Sequence, residues 1–221
     1  SYRKTEDDFE ETNRLTLFIT GRRQPESWLA DDQAMVSYYS LKAHVNNVLQ
    51  RLGVQGFQEE AVTKDTVLAY GTRYFRGPRE LVRYGRVQGA LLKEMDIRGE
   101  VFYADFNWDN VFRALPKKRV QFAELNKYPS MRRDLALVVD NSVKFSDIAA
   151  IAGKTAKKLL RETNLFDVYV NDDQLGAGKK SYAVSFIFED ASRTLKVKEI
   201  DKVMNRIINT CETQLGAQVR R

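Results

Sequence analysis

Apolar and polar residues alternate at a period of two most clearly between Phe166 and Phe188. Phe-Asp-Val-Tyr-Val, a polar loop over 171–180, and Ser-Tyr-Ala-Val-Ser-Phe-Ile-Phe read as two strands of a hairpin, because successive side chains of an extended chain point to opposite faces. By this parity Phe166, Val168, Val170, Tyr182, Val184, Phe186 and Phe188 belong to a buried face, with Leu135, Leu137 and Val139 from a strand over 134–139. The opposite face takes Asp134, Ala136, Val138, Leu165, Asp167, Tyr169, Ser181, Ala183, Ser185 and Ile187, with Gln218 and Arg220 from a last short strand.

Helical periodicity frames these strands. Ser146 is the predicted N-cap of a helix with Ile148, Ile151, Ala152, Thr155, Leu159 and Leu160 on one stripe. Ile200, Val203, Met204, Ile207, Ile208, Cys211 and Leu215 mark a second helix, stopped by Gly216. The resulting order, βαββαβ, is the split βαβ or ferredoxin-like arrangement, an antiparallel sheet with both helices on one face and the other face open.

The first half has a different rhythm. Leu15–Thr20 reads as a strand that begins without an initiator Met or a folded element before it, so the chain reads as an excised fragment. Ser40 is the predicted N-cap of a helix carrying Leu41, Val45, Val48, Leu49 and Leu52, with Gly53 as its stop. Strands over 57–62, 67–70, 81–87 and 101–106 follow, then a short helix over 108–115 closed by Pro116. Several strands around one long helix predict a mixed or antiparallel sheet with helices on one face. The break Pro116-Lys-Lys-Arg119 divides the chain into domains 1–121 and 122–221, and the fold class is α+β.

Composition narrows the chemistry. With 43% apolar residues and 11% aromatics, 221 residues can fill a real core. No apolar run approaches the roughly 18 residues of a membrane span, and the charged opening is no secretory signal, so a soluble cytoplasmic protein without a membrane partner is expected. One cysteine, Cys211, excludes an internal disulfide and a multi-cysteine metal site, and its place on a helical stripe predicts core packing. The lone histidine, His44, has no second ligand beside it, which argues against zinc and against histidine catalysis. The acidic groups Asp7, Asp8, Glu10, Glu11 and Asp31-Asp32 read as solvated turns, so neither a metal site nor catalytic residues are expected. The net charge of +6 suits a polyanionic partner, but residues 122–221 hold 17 basic and 13 acidic residues interspersed, and charge alone does not decide.

Two motifs fail on inspection. Gly176-Ala-Gly-Lys-Lys-Ser181 suggests a phosphate loop, yet Lys180 intervenes before Ser181, Asp173 stands where the first glycine belongs, and the segment joins two strands instead of opening a helix. Lys180–Ile187 echoes an RNA-recognition-motif strand but lacks its second glycine and, at Val184, its stacking aromatic.

The polar face remains. A platform of small residues with one projecting ring, Tyr169, rimmed by Arg132, Arg133, Lys179 and Lys180, suits single-stranded RNA, whose unpaired bases stack on rings while cations meet the phosphates. The alternation equally fits a solvated face or one covered by another domain, and parity leaves both open.

The motifs themselves carry a resemblance. Phe122-Ala-Glu-Leu-Asn-Lys-Tyr-Pro-Ser-Met-Arg-Arg-Asp-Leu-Ala-Leu-Val-Val139, Leu165-Phe-Asp-Val-Tyr169, Gly178-Lys-Lys-Ser181 and Arg193-Thr-Leu195, in that order, resemble the ferredoxin-fold anticodon-binding domain that closes the β subunit of bacterial phenylalanyl-tRNA synthetase. Leu15-Thr-Leu-Phe-Ile-Thr-Gly21, Trp28, Tyr38-Tyr-Ser-Leu-Lys-Ala43 and Arg51-Leu-Gly53 resemble the preceding catalytic-like domain, a class II synthetase-like antiparallel sheet, with departures at Tyr74-Phe-Arg-Gly77 and Gly89-Ala-Leu-Leu-Lys93. The resemblance implies a noncatalytic C-terminal fragment that supports an α subunit in an α2β2 enzyme. ATP and magnesium would be used by the full enzyme, and no cofactor by this fragment. It implies anticodon contacts of phenylalanine tRNA at Asp167, Tyr169 and Ser181, with phosphates at Arg132, Arg133, Lys179 and Lys180. Asp134 reads as a structural partner for a neighbouring arginine, and Arg73, Arg76 and Arg79 as structural or interface residues. A regulatory module that binds a small molecule or pairs through its strands is the alternative.

Overall fold

Hydrophobic residues at alternate positions build two separate antiparallel sheets in the computed structural model, which describes residues 1–5, 8–28, 33–116, 122 and 124–220. The chain divides into two units, Ser1–Gln121 and Phe122–Arg221.

The first unit opens with a hairpin of β1 (Tyr2–Lys4) and β2 (Phe9–Glu11). This corrects the expectation that nothing folded precedes Leu15; two exposed three-residue strands leave no periodic signal. β3 (Arg14–Thr20), α1 (Tyr38–Arg51), β4 (Gln58–Val62), β5 (Leu68–Arg76), β6 (Arg79–Val87), α2 (Gly89–Glu94), β7 (Val101–Asn107) and α3 (Trp108–Arg113) follow. Their sheet runs β3-β7-β6-β5-β4, every pair antiparallel. α1 buries Leu41, Val45 and Leu49 against Tyr74, Tyr84, Phe102 and Phe106. Its N-cap is Ser37, not Ser40. Ser40 sits one turn in as the reciprocal partner of a capping box, its Oγ accepting from the Ser37 N–H at 3.1 Å. α2, unforeseen in the sequence, pins Leu92 against Val87 and Val101.

In the second unit the elements are β8 (Met131–Asp140), α4 (Phe145–Ala156), β9 (Leu160–Tyr169), α5 (Asp172–Leu175), β10 (Lys179–Phe188), α6 (Val197–Leu215) and β11 (Gln218–Val219). The sheet order β11-β8-β10-β9, antiparallel throughout, gives the ferredoxin-like topology. Ile148, Ile151, Ala152, Ile200, Val203, Ile207 and Cys211 cover Leu135, Leu137, Val139, Val184, Phe186 and Phe188 in one core. Burial pushes the Cys211 thiol up to about 11, as befits a packing residue. The N-cap of α4 is Lys144, whose N–H donates to the Asp147 carboxylate at 3.0 Å, so Ser146 lies inside the helix and is not its cap. The helix ends at Ala156, and Leu159 falls in a 3-10 turn ahead of β9. α6 stops at Gly216, which takes the left-handed conformation (φ +62°) that a side chain would resist. Among the described residues, no helix is long and apolar enough to cross a membrane.

Candidate nucleic-acid interface

The side of the second sheet opposite α4 and α6 is set by the register of β10. Ser181 lies between Val138 and Tyr169, Ala183 between Ala136 and Asp167, Ser185 between Asp134 and Asn164, and Ile187 between Arg132 and Glu162. Small side chains on the central strand keep this face low, and longer ones from the outer strands reach over it.

A β-bulge changes part of the expected face. Ala183 pairs with Asp167 and Val184 with Leu165, which leaves Phe166 as the extra residue of β9. Such a residue breaks strict alternation. Leu165, expected on the open face, therefore packs against the core with Val184, and Phe166, expected in the core, is 50% exposed. The Arg132 guanidinium lies 5.6 Å from the Phe166 ring centroid, which puts that ring on the open side. Asp167 and Tyr169, beyond the bulge, keep the predicted face. Val168 and Val170, also expected under the helices, are exposed because β9 is the sheet's edge strand.

Tyr169 is held from two directions. Its hydroxyl donates to Gln174 Oε1 at 2.8 Å from α5, a single turn fixed by Asn171, whose carboxamide oxygen accepts from the Gln174 N–H. The Arg220 guanidinium lies 4.8 Å from the ring centroid. Arg220 follows β11, its N–H donating to Ala136 O on β8, while Tyr169 is on β9 at the far edge. With neighbouring strands about 4.8 Å apart, the two side chains meet above β8 and β10. Ser181 below them is only 3% exposed, and Ser185 likewise. Ser181 thus lies on the predicted face but at its floor. Arg220 is the residue sequence reasoning placed on the face without giving it work; its reach across three strand positions leaves no mark in the sequence.

The four rim cations do not stay together. Arg132 is exposed on the open side, and its Nε donates to Asp134 Oδ1 at 2.8 Å, a bond that raises the arginine's already high pKa. Lys179 shares the parity of Ser181. Arg133 and Lys180 are corrections: Arg133 pairs with Phe186 and donates to Asp201 of α6 at 3.3 Å, on the helix side. Lys180 shares the face of Tyr182; its ammonium donates to Asn141 O at 2.8 Å and lies 4.8 Å from the Tyr182 ring. Adjacent residues of a regular strand, with no bulge between them, point to opposite faces.

On the first sheet, the side away from α1 carries Glu60, Arg73, Arg83 and Asp105 abreast on β4, β5, β6 and β7. Arg73 meets Glu60 at 2.7 Å, Arg83 meets Asp65 at 2.9 Å and Arg14 meets Asp105 at 2.6 Å. Arg76 donates to Ala114 O at 3.1 Å. A cleft of about 850 Å³ beside α1, lined by Leu15, Val48, Arg51 and Trp108 among others, has one charged side chain. Among the described residues, no three His, Cys, Asp or Glu side chains group as a metal would need. Asp7, Asp31 and Asp32 lie outside the described residues.

Residues 126–220 match the ferredoxin-fold anticodon binding domain, and residues 1–108 match the phenylalanyl tRNA synthetase beta chain CLM domain. The phenylalanine–tRNA ligase beta subunit of Bacteroides thetaiotaomicron is 40% identical over 214 residues, 96% of this chain and 26% of that protein. The chain belongs to the phenylalanine–tRNA ligase β-subunit family. Other members similar to it include the beta subunits of Porphyromonas gingivalis, 36% identical over 96% of this chain and 26% of that protein, and of Clostridium tetani, 31% identical over 84% and 23%. The chain spans about a quarter of the length of these β subunits. All four strands of the open-faced sheet fall inside the anticodon-binding match.

Proposed function

We propose that this chain acts as a noncatalytic part of phenylalanine–tRNA ligase, its first unit supporting the α subunit of an α2β2 enzyme and its second binding the anticodon region of phenylalanine tRNA. The observation that carries the reading is the open face of small residues under an arginine-backed tyrosine, within the stretch that matches an anticodon-binding family. In this reading Tyr169 stacks under an unpaired base, Asp167 accepts from a base edge, and Arg132 and Lys179 meet phosphates. The Ser181 hydroxyl joins once Arg220 withdraws. Arg133 and Lys180, engaged on the helix side, take no part. The arginines of the first sheet are occupied by carboxylates of the same unit, which supports a structural role for them. ATP and magnesium belong to the α subunit's chemistry in the cytoplasm.

The test is a fluorescence-anisotropy titration of the 221-residue chain with the anticodon stem-loop of phenylalanine tRNA at two salt concentrations. Salt-sensitive binding is expected, weakened by about 1–3 kcal/mol in Tyr169→Ala, the worth of one stacked base. No binding at low salt, or an unchanged Tyr169→Ala, overturns the proposal, as does strand-mediated dimerisation with a small molecule in place of RNA binding.

A further inference from the structure

Phe166 has no role in the reading above. A strand that kept strict alternation would bury this ring; instead the bulge gives its place against Val184 to Leu165 and leaves Phe166 half exposed on the polar side. Single exposed aromatics are common and mean little by themselves. This one repeats the construction at Tyr169: a ring on β9 with a guanidinium laid against it from another strand of the same sheet, Arg132 of β8 in one case and Arg220 after β11 in the other. Arg132 is itself steadied by Asp134, so the cation is held in place before any ligand arrives. A planar guanidinium beside a ring offers a base both a stacking surface and a charge for the adjoining phosphate.

We propose that Phe166, with Arg132, is a second base-stacking platform, so that the open face takes two unpaired bases of one RNA loop. The inference rests on the anticodon-binding reading and deepens it. Three residues of strand place the Cα atoms of Phe166 and Tyr169 up to about 10 Å apart, a spacing suited to bases splayed from nearby nucleotides of a single strand and not to two neighbours in a continuous stack. Duplex RNA, with its bases already paired and stacked, cannot use both rings.

The test uses the 221-residue chain and anticodon stem-loops carrying 2-aminopurine at one loop position at a time, with anisotropy for affinity and fluorescence quenching for stacking. Phe166→Leu should weaken binding at least about five-fold and relieve quenching at one loop position, while Tyr169→Ala relieves it at another. Phe166→Trp should retain both affinity and quenching, which separates the loss of an aromatic surface from a disturbed fold. If wild type binds and Tyr169→Ala weakens it, yet Phe166→Leu binds as wild type with an unchanged quenching pattern, the second platform is wrong and the anticodon-binding reading stands. If wild type does not bind the loop, that reading falls and the platform with it.

Discussion

On the first sheet, away from α1, arginines face carboxylates: Arg73 with Glu60, Arg83 with Asp65, Arg14 with Asp105. On the second sheet, away from α4 and α6, Arg220 and Arg132 face aromatic rings, and the one carboxylate paired with Arg132, Asp134, is itself exposed. The difference separates charges built into a fold from charges held ready. Asp65 accepts from the Val67 and Leu68 N–H groups as well as from Arg83. Burial pushes its pKa up, but those hydrogen bonds and the guanidinium outweigh it and hold the carboxyl below its usual range. Such a group is expensive to disturb. An exposed cation–π contact is worth only about 0.5–1 kcal/mol, and a stacked base about 1–3 kcal/mol, so an unpaired base can displace a guanidinium from a ring and leave it free to meet a phosphate.

Removing the firmest of these groups should have the largest effect. Asp65→Ala deprives two backbone donors and an arginine of their acceptor, so thermal melting should report about 3 kcal/mol lost from the first unit, with RNA affinity unchanged. Affinity lost in that variant while the second unit stays folded would erase the distinction between the two sheets. Salt sharpens it next. Three cations on the open face, Arg132, Lys179 and Arg220, at a slope of about 0.7 each, predict roughly twenty-fold weaker binding between 50 and 200 mM salt. The smallest effect belongs to Arg220→Ala, which gives up one phosphate contact but bares the Tyr169 ring. Low-salt affinity should move by less than about 1 kcal/mol and the salt slope should fall by about 0.7; an unchanged slope would mean that Arg220 stays on the ring in the complex.

The ferredoxin-like unit was legible because its signals agree: period two in Tyr182, Val184, Phe186 and Phe188, a helical stripe ending at Cys211 and Leu215, and a glycine stop at Gly216. Asp167 and Tyr169 could be assigned to their face because both follow the bulge. Leu165 and Phe166 could not, since one extra residue shifts the parity before it and no residue type announces a bulge. Ser181 was found by parity but its burial was not, because alternation assigns a residue to a face and does not say how deeply its neighbours cover it. Ser40 carries the cap signal in the sequence, but Ser37 stands ahead of the same apolar stripe, and only the reciprocal bond between them shows which is the cap. Rim cations adjacent in sequence, Arg132 with Arg133 and Lys179 with Lys180, were credited to one face although strand geometry must send them to opposite ones.

The central claim is that the second sheet meets RNA with the side away from its helices. Amide chemical-shift mapping of the 221-residue chain during titration with the anticodon stem-loop tests this most directly. The largest changes should fall at Arg132, at Phe166 to Tyr169 and at Lys179 to Ala183, with α4 and α6 undisturbed. Changes concentrated along the outer surfaces of α4 and α6, with β9 and β10 silent, would contradict it.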